Sequence, residues 1–170
     1  KKIIYILVFI VTVAITFYLV GATVYTNVIS ETKGPVHWHA DYEVWICEQE
    51  NKLTPPKGLV NRIGTETLHD HGDNRIHVEG ILIKKEYASL KNFFYAVSGK
   101  LTEDEIVFPT SSGTVRKHNG DLCDGNPGKL YVFVNGRLIS HPEDYVLAPY
   151  ETIPPGDTIK FVFSSLHPEE

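Results

Sequence analysis

Residues 3–24 carry no charged side chain and are almost wholly aliphatic, aromatic, Thr or Ala. In a helix, roughly 20 such residues rising 1.5 Å each cross a hydrocarbon core of about 30 Å. No other segment of the 170-residue chain comes close. Lys1 and Lys2 flank the run on one side, and no basic residue follows it until Lys33. Basic residues near a span stay cytoplasmic, so the N-terminus is expected inside and the remainder outside. A cleaved secretory signal would have a shorter apolar core, about 7–15 residues, and small residues before the cut. Val20-Gly21-Ala22 matches such a site poorly. The expectation is therefore a retained single-pass anchor over residues 1–24, a tether over 25–35, and one extracytoplasmic domain over 36–170.

The charge of the exported part limits its partners. The chain has 16 Lys and Arg against 21 Asp and Glu; without Lys1 and Lys2 the balance is 14 against 21, a net −7 with His neutral. Nucleic acid and anionic lipid are poor partners for such a surface, whereas cations suit it. Cysteine is sparse. Cys47 and Cys123 are the whole complement, and in an oxidising compartment two such thiols are expected to pair, a closure that contributes about 3–4 kcal/mol. No C-x-x-C is present, which argues against a thioredoxin-like redox site.

The pattern beyond the tether is mostly β. In residues 36–47 the even positions are Val36, Trp38, Ala40, Tyr42, Val44 and Ile46, and the odd ones begin His37, His39, Asp41 and Glu43. Alternation of this kind marks a half-buried strand. Residues 48–64 read as loop, with Pro55-Pro56 and Lys57-Gly58 as breakers. Two further strands, 65–71 and 75–84, flank Gly72-Asp73-Asn74, which suits a tight hairpin. Ser89 reads as the N-cap of a short helix over 90–97 that carries Phe93 and Phe94 into the core. Residues 101–126 read as irregular. A strand over 129–134, the turn Asn135-Gly136 and a return over 137–139 follow, with further strands at Tyr145-Val146-Leu147 and 158–163 around Pro154-Pro155-Gly156-Asp157. Phe161 and Phe163 oppose Val162 in parity, so the last strand is expected to be buried on both faces. The fold class is α+β, mostly β, with a β-grasp-like C-terminal part.

Five of the eight histidines fall between residues 37 and 77, and four of them form two H-x-H pairs. On a strand, residues i and i+2 point to one face, so each pair presents two imidazoles side by side. If Gly72-Asp73-Asn74 is a three-residue loop, His69 lies opposite His77 and His71 opposite Arg75. Cross-strand partners stand about 5 Å apart at Cβ. That lets two imidazoles share one ion at nitrogen–metal distances near 2 Å. His69, His71 and His77 are the first candidates as metal ligands; His37 and His39 join them if the first strand lies beside the hairpin, and Glu79 is a further candidate. Asp41, Asp73 and Glu79 could ligate or orient the rings. Imidazole suits copper or zinc. His118, His141 and His167 stand alone in sequence and read as surface residues.

Other chemistry is weakly supported. Residues 37–43 fit the H-x-H-x3-E fragment of cupins, but the second cupin motif is not found. Ser111 and Ser112 near His118 lack a nucleophile elbow. Asp121, Asp124 and Asn126 resemble a calcium loop with its order broken.

His37-Trp38-His39-Ala40, Leu68-His69-Asp70-His71, Ile76-His77-Val78-Glu79, Ser89-Leu90 with Phe93-Phe94, and Val134-Asn135-Gly136 together carry a resemblance. The chain resembles a largely uncharacterised family of membrane-anchored or secreted archaeal and bacterial proteins with H-x-H-A, L-H-x-H-D, I-H-x-E, S/T-L-x-x-F-F and V-N-G motifs. The match spans most of the exported domain. In this sequence Gly72 displaces the acid that follows the second histidine, and Asp70 adds one between the pair. The resemblance implies the architecture and the grouping of the histidines, and no activity.

The leading expectation is thus a membrane-anchored extracytoplasmic protein binding copper or zinc through strand histidines. It would capture, deliver or sense the ion, or serve as an accessory subunit of a membrane complex. A metal-dependent hydrolase using the same cluster, with Glu79 or Asp73 as base, is the alternative. A structural or interaction domain without metal is the third reading.

Overall fold

A computed structural model describes residues 1–148 and 156–167. The apolar run forms helix α1, Lys2–Ile29, none of whose residues is buried against the rest of the protein. Its 28 residues make about 42 Å of helix, long and apolar enough to cross a membrane. The hydroxyls of Thr12, Thr16, Thr23 and Thr26 each donate to a carbonyl one turn back at 2.8–2.9 Å. Polar atoms on an apolar helix are thereby satisfied internally, as a hydrocarbon surrounding demands.

The helix runs five residues past Val24 into the segment read as a tether. What remains of that segment is pinned. Glu31 N–H donates to the Ile83 carbonyl at 3.2 Å, the Thr32 hydroxyl accepts from Leu82 N–H at 3.2 Å, and the Glu31 carboxylate accepts from Lys85 N–H at 2.8 Å. Ser30 is fully buried. Helix α1 therefore meets the domain through an ordered junction.

The domain is built on one large sheet. In chain order its strands are β1 Pro35–Ile46, β2 Gln49–Asn51, β3 Ile63–Gly64, β4 Leu68–Asp70 and β5 Arg75–Ile81. After helix α2, Leu90–Ala96, come β6 Lys100–Leu101, β7 Glu105–Thr110, β8 Gly113–His118, β9 Leu122–Cys123 and β10 Asn126–Pro127. The chain closes with β11 Lys129–Val134, β12 Arg137–Leu138 and β13 Asp157–Ser164. The main sheet runs β12-β11-β13-β1-β5-β4-β3, with β2 appended to β1. Central β1 is parallel to β13 and antiparallel to β5. A first pair, a helix, and a last strand returning parallel to the first give a β-grasp-like order. It involves the whole sheet, not the C-terminal part alone.

Alternation decides which face is core. Trp38, Ala40, Tyr42, Val44 and Ile46 on β1, with Ile76, Val78, Ile159, Phe161 and Phe163, are all buried. They pack on Leu90, Phe93 and Phe94 of α2 and on Ile106 and Phe108 of β7. Phe94 meets Phe161 edge-on at 5.1 Å between centroids, and Tyr42 meets Phe93 at 5.5 Å. The Ser89 hydroxyl accepts from Asn92 N–H at the start of α2, the cap its sequence position implies. Cys47 and Cys123 form a disulfide across 76 residues, tying the end of β1 to β9.

Several segments differ from expectation. Residues 101–126 are not irregular: β6, β7 and β8 form a second antiparallel sheet. The turn between β7 and β8 is Ser111-Ser112, and buried Glu105 on β7 is held between Lys100 and Arg116. Tyr145–Leu147 makes only a single bridge, Val146 to Ser89, after a 3-10 turn at Pro142–Asp144. The last strand buries one face only, because Thr158, Lys160 and Val162 alternate outward. Residues 48–64 include the short strands β2 and β3, and the strand read over 65–71 is limited to β4. Pro154 and Pro155 lie outside the described residues.

Candidate metal centre

The face of the sheet opposite the core carries the histidines, in rows that the register fixes. His39 on β1 pairs with His77 on β5, and His77 with His69 on β4. Three imidazoles thus lie in line across three strands. One step toward the start of β1, His37 pairs with Glu79; one step the other way, Asp41 pairs with Arg75. The expected opposition of His69 and His77 holds. His71 lies past the end of β4, in the turn before β5, and is not paired with Arg75 in a ladder.

All five rings come together in two groups. In one, His37, His39 and His77 each offer a ligand nitrogen, all within 4.8 Å of one another; in the other, His69, His71 and His77 do so within the same limit. Nitrogens around one ion at bonds of about 2.0–2.1 Å stand about 2.8–4.1 Å apart, so shifts of about an ångström close either group. His77 belongs to both. Its ring lies 4.7 Å from those of His39 and His71 and 5.4 Å, stacked, from that of His69. The His37 and His39 Nε2 atoms are 2.9 Å apart, one donating to the other.

Burial separates the groups. The His37 side chain is 61% exposed, whereas that of His69 is 1% exposed; the shared His77 is 11% exposed. The sequence pattern placed His69 on a wet face; β3 flanks it instead, with Gly64 in register beside it. The Nδ1 atoms of His69 and His77 are both buried and have no hydrogen-bond partner. Buried polar nitrogens are ordinarily paired, and in the tautomer that leaves its lone pair free such a nitrogen is able to bind a metal ion.

The surrounding groups define ring orientation. His71 Nδ1 donates to the Asn61 carbonyl, which leaves its Nε2 lone pair free. Asp73 Oδ2 stands 3.4 Å from His77 Nε2, placing the proton there and the lone pair on Nδ1. Glu79 Oε1 lies 3.5 Å from His37 Nε2 and 4.0 Å from His69 Nε2, between the two groups. Asp41 does not join them, because Arg75 holds it by Nε at 2.6 Å and by a second nitrogen at 3.2 Å.

Burial, reinforced by the neighbouring His77 and His37, pushes His39 below its usual pKa. Burial likewise lowers His69 against the opposing pull of Glu79. Both rings are therefore held toward the neutral form that binds metal. Burial works to raise Asp73, but its hydrogen bond to His77 prevails and keeps it low.

Sequence reasoning missed the residue that shapes the turn. Asp70, between the two histidines of the second pair, points to the opposite face and is fully buried. Its carboxylate accepts from the Tyr42 hydroxyl at 3.0 Å, from Arg75 N–H at 3.1 Å and from Gly72 N–H. Burial nonetheless raises its pKa. The local signal was Asp followed two residues later by Gly, an Asx turn; the Tyr42 contact had none. The remaining histidines stand apart from the cluster. His118 pairs with Asp104 at 2.8 Å, His141 approaches Glu103 at 3.7 Å, and His167 lies against Tyr131.

Comparison with family models, curated proteins and solved structures gives no match to this chain.

Proposed function

We propose that this protein binds a copper or zinc ion through the histidines of the outer sheet face, on an extracytoplasmic domain held by α1. One observation carries the reading. Two imidazole nitrogens, Nδ1 of His69 and of His77, are buried without a partner inside a group whose ligand atoms already converge. An ordinary surface patch would leave them wet, and an ordinary core would pair them. The lone-pair assignments of His71 and His77 point the same way.

The acids favour holding over hydrolysis. Glu79 faces His37 and His69, Asp73 faces His77, and Asp41 is bound to Arg75. Each acts on a ring or a guanidinium, as outer partners of a metal site do. Export of the domain is supported by Lys1 and Lys2 before the apolar run and by the Cys47–Cys123 disulfide.

The test is elemental analysis of untagged full-length protein after loading and dialysis, beside the His69→Ala/His77→Ala variant. Stoichiometric copper or zinc in the wild type, lost in the variant, is the expected result. Wild-type protein that retains neither metal would rule the reading out.

A further inference from the structure

We propose that the two histidine groups are alternating seats for a single ion, which passes between them by exchanging ligands around His77. This rests on the metal-binding reading above and adds to it a path. Only His77 belongs to both groups. A neutral imidazole has one lone pair, its second nitrogen carrying the proton, and Asp73 stands at the proton side of His77. Three full ligands are thus available to one seat at a time.

The seats differ in access. The inner seat holds His69, 1% exposed, and the outer one His37, 61% exposed. The His77 ring is within 4.7 Å of a ring from each seat, His71 and His39. In the proposed exchange the ion keeps its bond to His77 while one nitrogen of the inner seat leaves and one of the outer seat takes its place. No charge changes on the metal, and the ligands stay neutral. Glu79 is the acid that faces both seats, at 3.5 Å from His37 and 4.0 Å from His69, and supplies one counter-charge common to the two positions.

The outer seat also lies at the end of β1 nearest the anchor, with His37 two residues beyond Pro35. The junction there is ordered by the Glu31 and Thr32 hydrogen bonds to 82–85. Ions would enter and leave on that side, with the inner seat as the store.

Copper(II) alone is the probe, with full-length untagged protein in detergent. Native mass spectrometry gives the stoichiometry, and EDTA-driven release followed by the copper absorption band gives the rate. Wild type, His37→Ala/His39→Ala and His69→Ala/His71→Ala are each expected to hold one ion. Loss of the outer pair should slow release at least tenfold, and loss of the inner pair should speed it at least tenfold. His71→Ala alone, at a half-buried turn position, repeats the second result without disturbing buried His69. Two ions in the wild type, with one lost in each paired variant, would show independent seats and overturn the proposal while leaving the metal reading intact. Release rates unchanged by removal of the outer pair would also overturn it. Wild-type protein that takes up no copper or zinc would remove the metal reading itself.

Discussion

A histidine on a strand is usually indifferent to its neighbours, and the ones here are not. His39 and His69 are both held below the ordinary imidazole pKa, by burial first. A folded-state value below the unfolded one near 6.5 means the folded protein binds fewer protons in that range. Stability is thus fully present above about pH 6.5 and is lost as pH falls through the lowered values. Thermal melts of metal-free protein should show this decline below about pH 6.5, and His69→Gln should flatten it. His118 works in the opposite sense, raised first by the Asn119 carbonyl and then by Asp104, so its small share is lost as pH rises. Asp70 is the other decisive residue. Tyr42→Phe removes one of its three donors and leaves a buried carboxylate under-satisfied, at a cost of about 1–3 kcal/mol. Denaturant unfolding measures it, and a change below about 0.5 kcal/mol would show that the Tyr42 hydroxyl is not holding the turn.

Among the elements, β1 was the most legible, because twelve residues of strict alternation leave one arrangement that buries every apolar side chain. The hairpin from β4 to β5 was legible in register, since Gly72-Asp73-Asn74 fixed which residues faced each other, and the pairing of His69 with His77 followed. The hairpin from β7 to β8 was not. Glu105-Ile106-Val107-Phe108 is buried at every position, which erases the two-residue period, while β8 is mostly exposed and polar. The burial of His69 was hidden for a different reason: the segment beside it, β3, is two residues long and carries no pattern. Gly64 shows how close that approach is. At φ +119°, a Cβ there would lie 2.4 Å from the Leu68 carbonyl oxygen. Gly64→Ala is expected to cost more than about 2 kcal/mol and to weaken metal retention by loosening β4. Unfolding and metal-binding titrations of the one variant test both halves; a variant as stable as the wild type would show that β3 is not fixed against β4.

At the scale of the molecule, an apolar helix, an ordered junction and a disulfide-closed domain form one unit whose outer sheet face carries the imidazoles. The apolar run and the paired cysteines were readable because each is a constraint on a single segment or a single pair. The convergence of five rings was readable only in part, because it also needs β5 to lie between β1 and β4, a long-range fact. Removing the disulfide by Cys47→Ala/Cys123→Ala should cost about 2–4 kcal/mol, seen as a lower denaturant midpoint with a steeper slope, because the unfolded chain without its cross-link exposes more surface. An unchanged midpoint would mean that closing the 76-residue loop contributes nothing. The measurement nearest the central claim is X-ray absorption at the metal edge of the loaded, untagged full-length protein. A first shell of nitrogen or oxygen at about 2.0 Å is expected, with outer-shell scattering from three imidazoles. A spectrum without imidazole scattering, or with fewer than three rings, would contradict it.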